Sequence, residues 1–228
     1  MDAKYLKFSV ASSGSTLLDG LISYWKLEET SGNAADSAGS NTGTVTGCTY
    51  NVTGKVNKCY TFNGSTGNVN CGDPTNLRLT TQGTIAAWIN ADARTNNVIA
   101  SKGNWSTDRD GYTFVLSSGY LVMELADASS SIYAQSSAQL TLGTWYHVIA
   151  TWDSSNLYLY INGSQDGTAS NGKTMTSSGK TFYIGYNGDY SAPFSGEIDE
   201  VGVWNRKLTT SEIAELYNSG SGKTYPFS

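Results

Sequence analysis

The sequence predicts an all-β protein, a two-sheet antiparallel sandwich with one short helix near its end. Three observations carry that prediction. Charged residues are 14% of the 228, while Gly, Ser, Thr and Asn fill the spaces between short apolar runs. Aromatic residues reach 12%, with 15 Tyr and 6 Trp, the side chains that pack best on a pleated surface. The apolar runs alternate with period two and are bounded by turn formers.

The period-two pattern opens at "LISYWKL", with Leu21, Ser23, Trp25 and Leu27 on one face and Ile22, Tyr24 and Lys26 on the other. A long polar loop, "EETSGNAADSAGSNTGT", follows. Further strand-like runs are "KCYTFNG", "GNVNCG", "GTIAAWIN", "NVIASKG", "GYTFVLS", "GYLVMELAD", "TWYHVIATWD", "NLYLYING", "KTFYIGYN" and "GEIDEVGVWN". Asn162-Gly163 supplies the positive-φ pair of a type I′ hairpin turn. The one helical signal comes late. Thr209 and Glu212 are spaced as a capping box, Ile213, Leu216 and Tyr217 form an i, i+3, i+4 stripe, and Gly220 is placed to end the helix. Residues 1–19 read as a flexible leader, 20–220 as the sandwich domain and 221–228 as a tail.

Net charge is −5 and no Lys/Arg cluster occurs, which argues against nucleic-acid partners. No apolar run has transmembrane length, so membrane insertion is not expected, and no signal-peptide core stands near Met1. Cys48, Cys59 and Cys71 are an odd number without a CxxC pair, which allows at most one disulfide and reads as reduced, partly buried thiols rather than a zinc site. The lone histidine, His147, sits among aromatics in "WYHVIATWD", and neither GxSxG nor HExxH accompanies it, so it reads as a packed strand residue.

The loop "ADSAGSNTGT" offers Asp36, Ser37, Asn41 and Thr42 as oxygen ligands for a hard cation such as Ca²⁺, with an Asx-turn loop free of metal as the competing reading. "DRDG", Asp108 to Gly111, is a second acidic loop that reads as a turn. Trp105, Tyr186 and Tyr190 lie in loops beside Asn and Asp, the equipment for stacking and hydrogen-bonding a sugar ring. The other five Trp residues alternate within strands and read as packing.

Taken in order, "YWKLEE", "WYHVIATWD" with its Asn-Gly hairpin, and "IDEVGVWNRKLT" resemble the laminin-G-like domains of the concanavalin A-like lectin/glucanase superfamily, from about Gly20 to Tyr217. The resemblance implies a jelly roll of two curved antiparallel sheets. It also implies calcium held by Asp36 and Asn41 of the loop together with Asp199 of the terminal strand, although Ala38 and Ser40 depart from the usual loop. Laminarinase-type glucanases of that superfamily carry acids at i, i+2 and i+4 of one strand. Here Glu197 and Asp199 share a face about 6.6 Å apart, Glu200 is expected on the opposite face, and Val201 stands at i+4. The catalytic set is therefore incomplete.

The implied function is a non-enzymatic module that binds glycans or another cell surface. Its expected setting is a bacteriophage virion, as a capsid decoration or tail appendage beside other virion proteins. Extracellular placement, or cytoplasmic synthesis with non-classical release, is the alternative location. A purely structural assembly subunit and a glucanase-like hydrolase are the alternative functions.

Overall fold

The computed structural model describes residues 15–95, 97–104, 110–176, 179–188 and 192–227. In chain order the strands are β1 (Leu21–Trp25), β2 (Thr44–Thr46), β3 (Cys48–Thr53), β4 (Lys58–Asn63), β5 (Asn68–Asn70), β6 (Gly83–Ala91), β7 (Asn97–Asn104) and β8 (Asp110–Ser117). They continue with β9 (Tyr120–Asp127), β10 (Ser131–Gln139), β11 (Trp145–Trp152), β12 (Asn156–Ile161), β13 (Ser164–Ser170), β14 (Tyr183–Ile184) and β15 (Ser195–Trp204), and the helix α1 spans Thr210–Tyr217.

Two antiparallel sheets form the expected jelly-roll sandwich. Among the described residues, one sheet has eight strands in the order β13-β12-β11-β6-β15-β4-β3, with β1 also on β15, and the other has seven in the order β10-β9-β8-β7-β14-β5-β2. Alternate residues of both sheets turn inward and pack as one core, as period-two burial requires. Trp25 stacks on Phe182 with centroids 5.4 Å apart, and Tyr112 meets Trp152 at 5.8 Å. The Tyr112 hydroxyl is satisfied by the Leu77 carbonyl at 2.7 Å.

The β12–β13 hairpin turns at Asn162 (φ 51°) and Gly163 (φ 78°), the pair of positive angles anticipated from Asn-Gly. The capping box at α1 forms as read: Thr209 Oγ1 accepts the Glu212 N–H, and the Glu212 carboxylate accepts the Thr209 N–H. The helix stops two residues earlier than Gly220 suggested, because Asn218 itself takes the left-handed conformation at φ 47°. In β1 the expected alternation breaks at a register shift between Leu21 and Ser23. Leu21 consequently joins the outer cluster while Ile22 packs on the core.

Both ends of the described chain dock on the outer face of the eight-stranded sheet, where a leader and a tail were expected. Leu17 is buried beside Trp204, whose indole N–H donates to the Leu17 carbonyl at 2.7 Å. Phe227 is buried against Tyr24 and Trp204. With Ile213 and Leu216 of α1 they form a second apolar cluster that roofs this face. Residues 15–19 and 221–227 thus belong to the folded body. Apolar side chains within them, invisible to a composition-based boundary, are the reason.

The three cysteines are unpaired, with Cys59 and Cys71 buried. Burial raises the Cys48 and Cys59 thiols to about 12, so they persist as inert thiols. Among the described residues no helix is long and apolar enough to cross a membrane.

Candidate functional site on the outer face of the seven-stranded sheet

With one outer face roofed by α1 and the chain ends, the seven-stranded sheet presents the other. Its register lines up a single row across all seven strands. Tyr133 of β10 pairs with Glu124 of β9, Glu124 with Thr113 of β8, and Thr113 with Ser101 of β7. Ser101 then pairs with Tyr183 of β14, Tyr183 with Asn70 of β5, and Asn70 with Thr44 of β2. The adjacent row, from Ala134 through Met123, Phe114, Ala100 and Ile184 to Val69, is core. Successive side chains alternate faces, so the first row points outward. It is polar and aromatic throughout, with Glu124 as its only carboxylate.

The segment after β14 crosses the middle of this row. The Ser101 hydroxyl donates to the Tyr186 carbonyl at 2.9 Å, and Ala192 closes a small apolar cluster with Val98, Val115 and Val122. Ser101, Thr113 and Glu124 are buried beneath it. The row stays accessible at its two ends. At one end Tyr133 is 62% exposed. At the other, half-buried Tyr183 and Tyr186 meet edge to face with centroids 5.4 Å apart, beside half-buried Asn70 and exposed Thr44. A rigid aromatic pair flanked by an amide and a hydroxyl offers a flat apolar surface with adjacent hydrogen-bonding groups, which suits a polyhydroxylated ligand.

The loops bordering the face are pinned electrostatically. Lys102 is fully buried and donates to Asp73 at 2.6 Å, while Arg78 meets the same carboxylate at 2.6 Å. Burial pushes the Asp73 carboxyl up, but Arg78 and Lys102 outweigh it and hold it at about 2. Asp110 accepts the Thr176 N–H at 2.9 Å and the Thr176 hydroxyl.

Of the loop aromatics singled out in the sequence, Tyr186 belongs to this face, whereas Trp105 and Tyr190 lie outside the described residues, as does Asp108. Tyr183, Asn70 and Tyr133 were not singled out. Their alternation marked them as facing away from apolar neighbours, but only strand order and register bring them onto one face.

The acidic candidates lie elsewhere. Asp36 is held by four backbone donors: Oδ1 accepts the N–H groups of Tyr24 (2.9 Å), Ala38 (3.2 Å) and Gly39 (2.9 Å), and Oδ2 accepts that of Asn41 (2.9 Å). Asn41 is buried, its side-chain amide donating to Ser23 and Asn76 and its backbone carbonyl accepting from the Trp25 indole. Asp199 engages a different loop, with Oδ2 accepting the Val56 N–H at 2.8 Å. Three N–H groups crowd Asp36 Oδ1 and one engages Oδ2, so the loop backbone is wrapped on this carboxylate while Asp199 turns to the loop at Val56. Asp36, Asn41 and Asp199 therefore do not fit as a joint calcium ligand set. Among the described residues no three His, Cys, Asp or Glu side chains come together as a metal-ligating group.

The terminal strand departs from the sequence reading at Glu200. A bulge lies between Asp199, which pairs with Trp88, and Gly202, which pairs with Ala86, and Glu200 takes φ 52° within it. Ile198 and Val201 both reach the core. Asp199 and Glu200 thus share the outer side instead of pointing to opposite faces. Both are buried. Glu197, by contrast, is half-buried, and burial and Asp92 raise its carboxyl. His147 is packed between Trp88 and Tyr217, and burial lowers it to about 3, so it is a neutral packed ring as anticipated.

Cattle pentraxin-related protein PTX3 is 28% identical over 141 residues, which is 56% of this chain and 36% of that protein. The chain therefore spans about a third of that relative's length. The binding domain of Paraclostridial Mosquitocidal Protein 1 superposes with a TM-score of 0.73 at 19% identity, covering 89% of this chain and 53% of that one. Domain 4 of AbnA, a GH43 extracellular arabinanase from Geobacillus stearothermophilus solved with arabinotriose, gives 0.70 at 20% identity, covering 86% and 97%. At these identities the likeness is one of fold. The Laminin_G_3 family, described as the Concanavalin A-like lectin/glucanases superfamily, matches residues 63–214, more than half of the sequence, and the chain belongs to that family.

Proposed function

We propose that this chain is a non-enzymatic recognition module that binds a glycan on the outer face of its seven-stranded sheet. The carrying observation is the cross-strand row that ends in the Tyr183–Tyr186 pair beside Asn70 and Thr44. The opposite outer face is filled by the chain's own helix and ends. Of the two acids that a glucanase reading would pair, Glu197 and Asp199, the first is half-buried and the second is 0% exposed beneath the C-terminal segment, where no sugar can approach it. That burial supports recognition over hydrolysis. The structural neighbours include the binding domain of a mosquitocidal protein and an arabinanase domain solved with arabinotriose, which is in keeping with this reading.

The test is binding of the full chain to an immobilised panel of arabinan, β-glucan and sialylated glycans, with Tyr183→Ala in parallel. The reading expects at least one member to be bound and that binding to fall tenfold or more in the variant. A panel without binding, or binding that Tyr183→Ala leaves unchanged, contradicts it and favours a structural subunit. Release of reducing sugar from the panel would contradict the non-enzymatic part.

A further inference from the structure

We propose a second binding site, independent of the Tyr183–Tyr186 face: at the uncovered end of the eight-stranded sheet, Trp145, Asn90 and Glu197 take the side-chain ammonium of a lysine from a protein partner. The register places these residues together. Trp145 of β11 pairs with Asn90 of β6, Asn90 with Glu197 of β15, and Glu197 with Thr61 of β4. The neighbouring row, Ile89, Ile198 and Tyr60, is core, so this row points outward. All four of its residues are half-buried. The roof over this face ends one row short of them, with Tyr217 stacked on Trp88 and His147 and with Gly222 against Trp88.

Twice on the same face, a ring beside an acid is completed by a lysine of the chain itself. Lys55 Nζ stands 4.9 Å over the Trp88 ring, and Trp88 is the cross-strand partner of Asp199. Lys207 Nζ stands 5.3 Å over the Tyr158 ring and also meets the Asp153 carboxylate. Trp145 with Glu197 is a third such arrangement, and it has the ring and the acid without the cation. Asp92 adds a second negative charge beside Glu197, and neither carboxylate forms an ion pair among the described residues. Trp145 also belongs to neither apolar cluster that flanks this sheet, so core packing does not account for its ring.

The occupant follows from charge and reach. A carboxylate half withdrawn from water beside a second one gains from a cation, and an indole face attracts the same cation. Trp145 and Glu197 stand about 10 Å apart across β6 by strand spacing. An ammonium above Asn90 is therefore within reach of both, and the methylene stem behind it can lie along the ring. A neutral or anionic ligand would leave Glu197 and Asp92 uncompensated. A lysine on a protein chain is chosen over an amino sugar because the two cations already seated on this face are lysines, each arriving on a flexible stem.

The experiment is an NMR titration of the isotopically labelled full chain with a pentalysine peptide, on wild type, Glu197→Gln and Trp145→Leu, read at the Trp145 indole N–H and the Asn90 side-chain amide. The proposal expects saturable shifts gathered at this end of β4, β6, β11 and β15, with affinity reduced roughly fivefold or more in either variant and by added salt. Trp145→Leu separates the site from general attraction of a basic peptide to a chain of net charge −5, which does not need the ring. If Trp145→Leu does not fold, Glu197→Gln and the location of the shifts decide. A glucosamine oligomer is titrated in parallel. No saturable shift in wild type, shifts spread over other acidic loops, affinity unchanged in Glu197→Gln or in Trp145→Leu, or binding of the oligomer without the peptide overturns the proposal.

Discussion

The two outer faces of this sandwich have opposite fates. On the eight-stranded sheet, Tyr24, Ile149, Tyr160 and Trp204 are covered by Leu17, Ile213, Leu216 and Phe227 from the chain's own ends and helix. On the seven-stranded sheet the corresponding apolar cluster is small, four buried residues around Val115, and the rest of the face is a hydroxyl, amide and tyrosine row. One face uses its side chains for stability. The other leaves tyrosines half-buried or exposed, where burial returns little folding energy and contact with a ligand can return more.

The largest expected effect is on the covered face. Trp204→Ala removes a fully buried ring and the hydrogen bond to Leu17, and should cost about 3–5 kcal/mol in chemical denaturation. Tyr133→Ala on the other face should stay within about 0.5 kcal/mol. A comparable loss from both would dissolve the contrast between the faces. Next in size is Asp36→Ala. It strands four backbone N–H groups and should cost about 3 kcal/mol, with Asp36→Asn losing less because an amide oxygen still accepts.

The acid bulge predicts a pH profile. Burial pushes Asp199 up to about 8 and Glu200 up to about 7, whereas the same groups sit near 4 when unfolded. Between those limits the folded state holds more protons than the unfolded one. Stability from these two groups is therefore full below pH ~4, declines as pH rises, and levels off above about 8. Glu212 acts in the opposite direction. Burial pushes it up, but Arg206, Thr16 and Thr209 outweigh that and hold it at about 2, so its contribution is full above pH ~4.3 and lost as pH falls toward 2. Denaturation from pH 3 to 9 should show greatest stability near pH 4–5, and Glu200→Gln should flatten the alkaline decline. Stability that climbs steadily to pH 8 would contradict this assignment.

The smallest effect on folding, and the sharpest on binding, is expected at Tyr183. Replacement by Ala should change stability by less than about 1 kcal/mol, since the ring is half-buried and, among the described residues, its hydroxyl has one long 3.4 Å hydrogen bond, from Asn70.

Much of the scaffold was legible because its signals are local. The Asn162-Gly163 turn and the Thr209/Glu212 cap each depend on residues within four positions of one another, and both formed as read. The bulge at Glu200 left a trace that period-two reading passes over: the apolar spacing Ile198, Val201, Val203 is three and then two, and a regular strand cannot turn all three inward. The helix end was misplaced for a related reason, since Asn218 and Gly220 both tolerate the left-handed conformation and the earlier one took it. The candidate face was not legible. Asn70, Ser101, Thr113, Glu124 and Tyr183 come from five strands, and nothing local in any of them encodes the strand order β9-β8-β7-β14-β5 that lines them up. The Asp36 loop shows the converse. Its carboxylate, which the sequence offers to a cation, accepts four backbone N–H groups of its own neighbourhood.

The most direct test of the account is amide chemical-shift mapping of the isotopically labelled protein, titrated with whichever polysaccharide from the panel it binds. Perturbations gathered on β14, β5 and the segment around Tyr186, with α1 and residues 222–227 unmoved, are the predicted result. Perturbations centred on α1 and the C-terminal segment would contradict it, because they would place the ligand on the face that the chain has already covered.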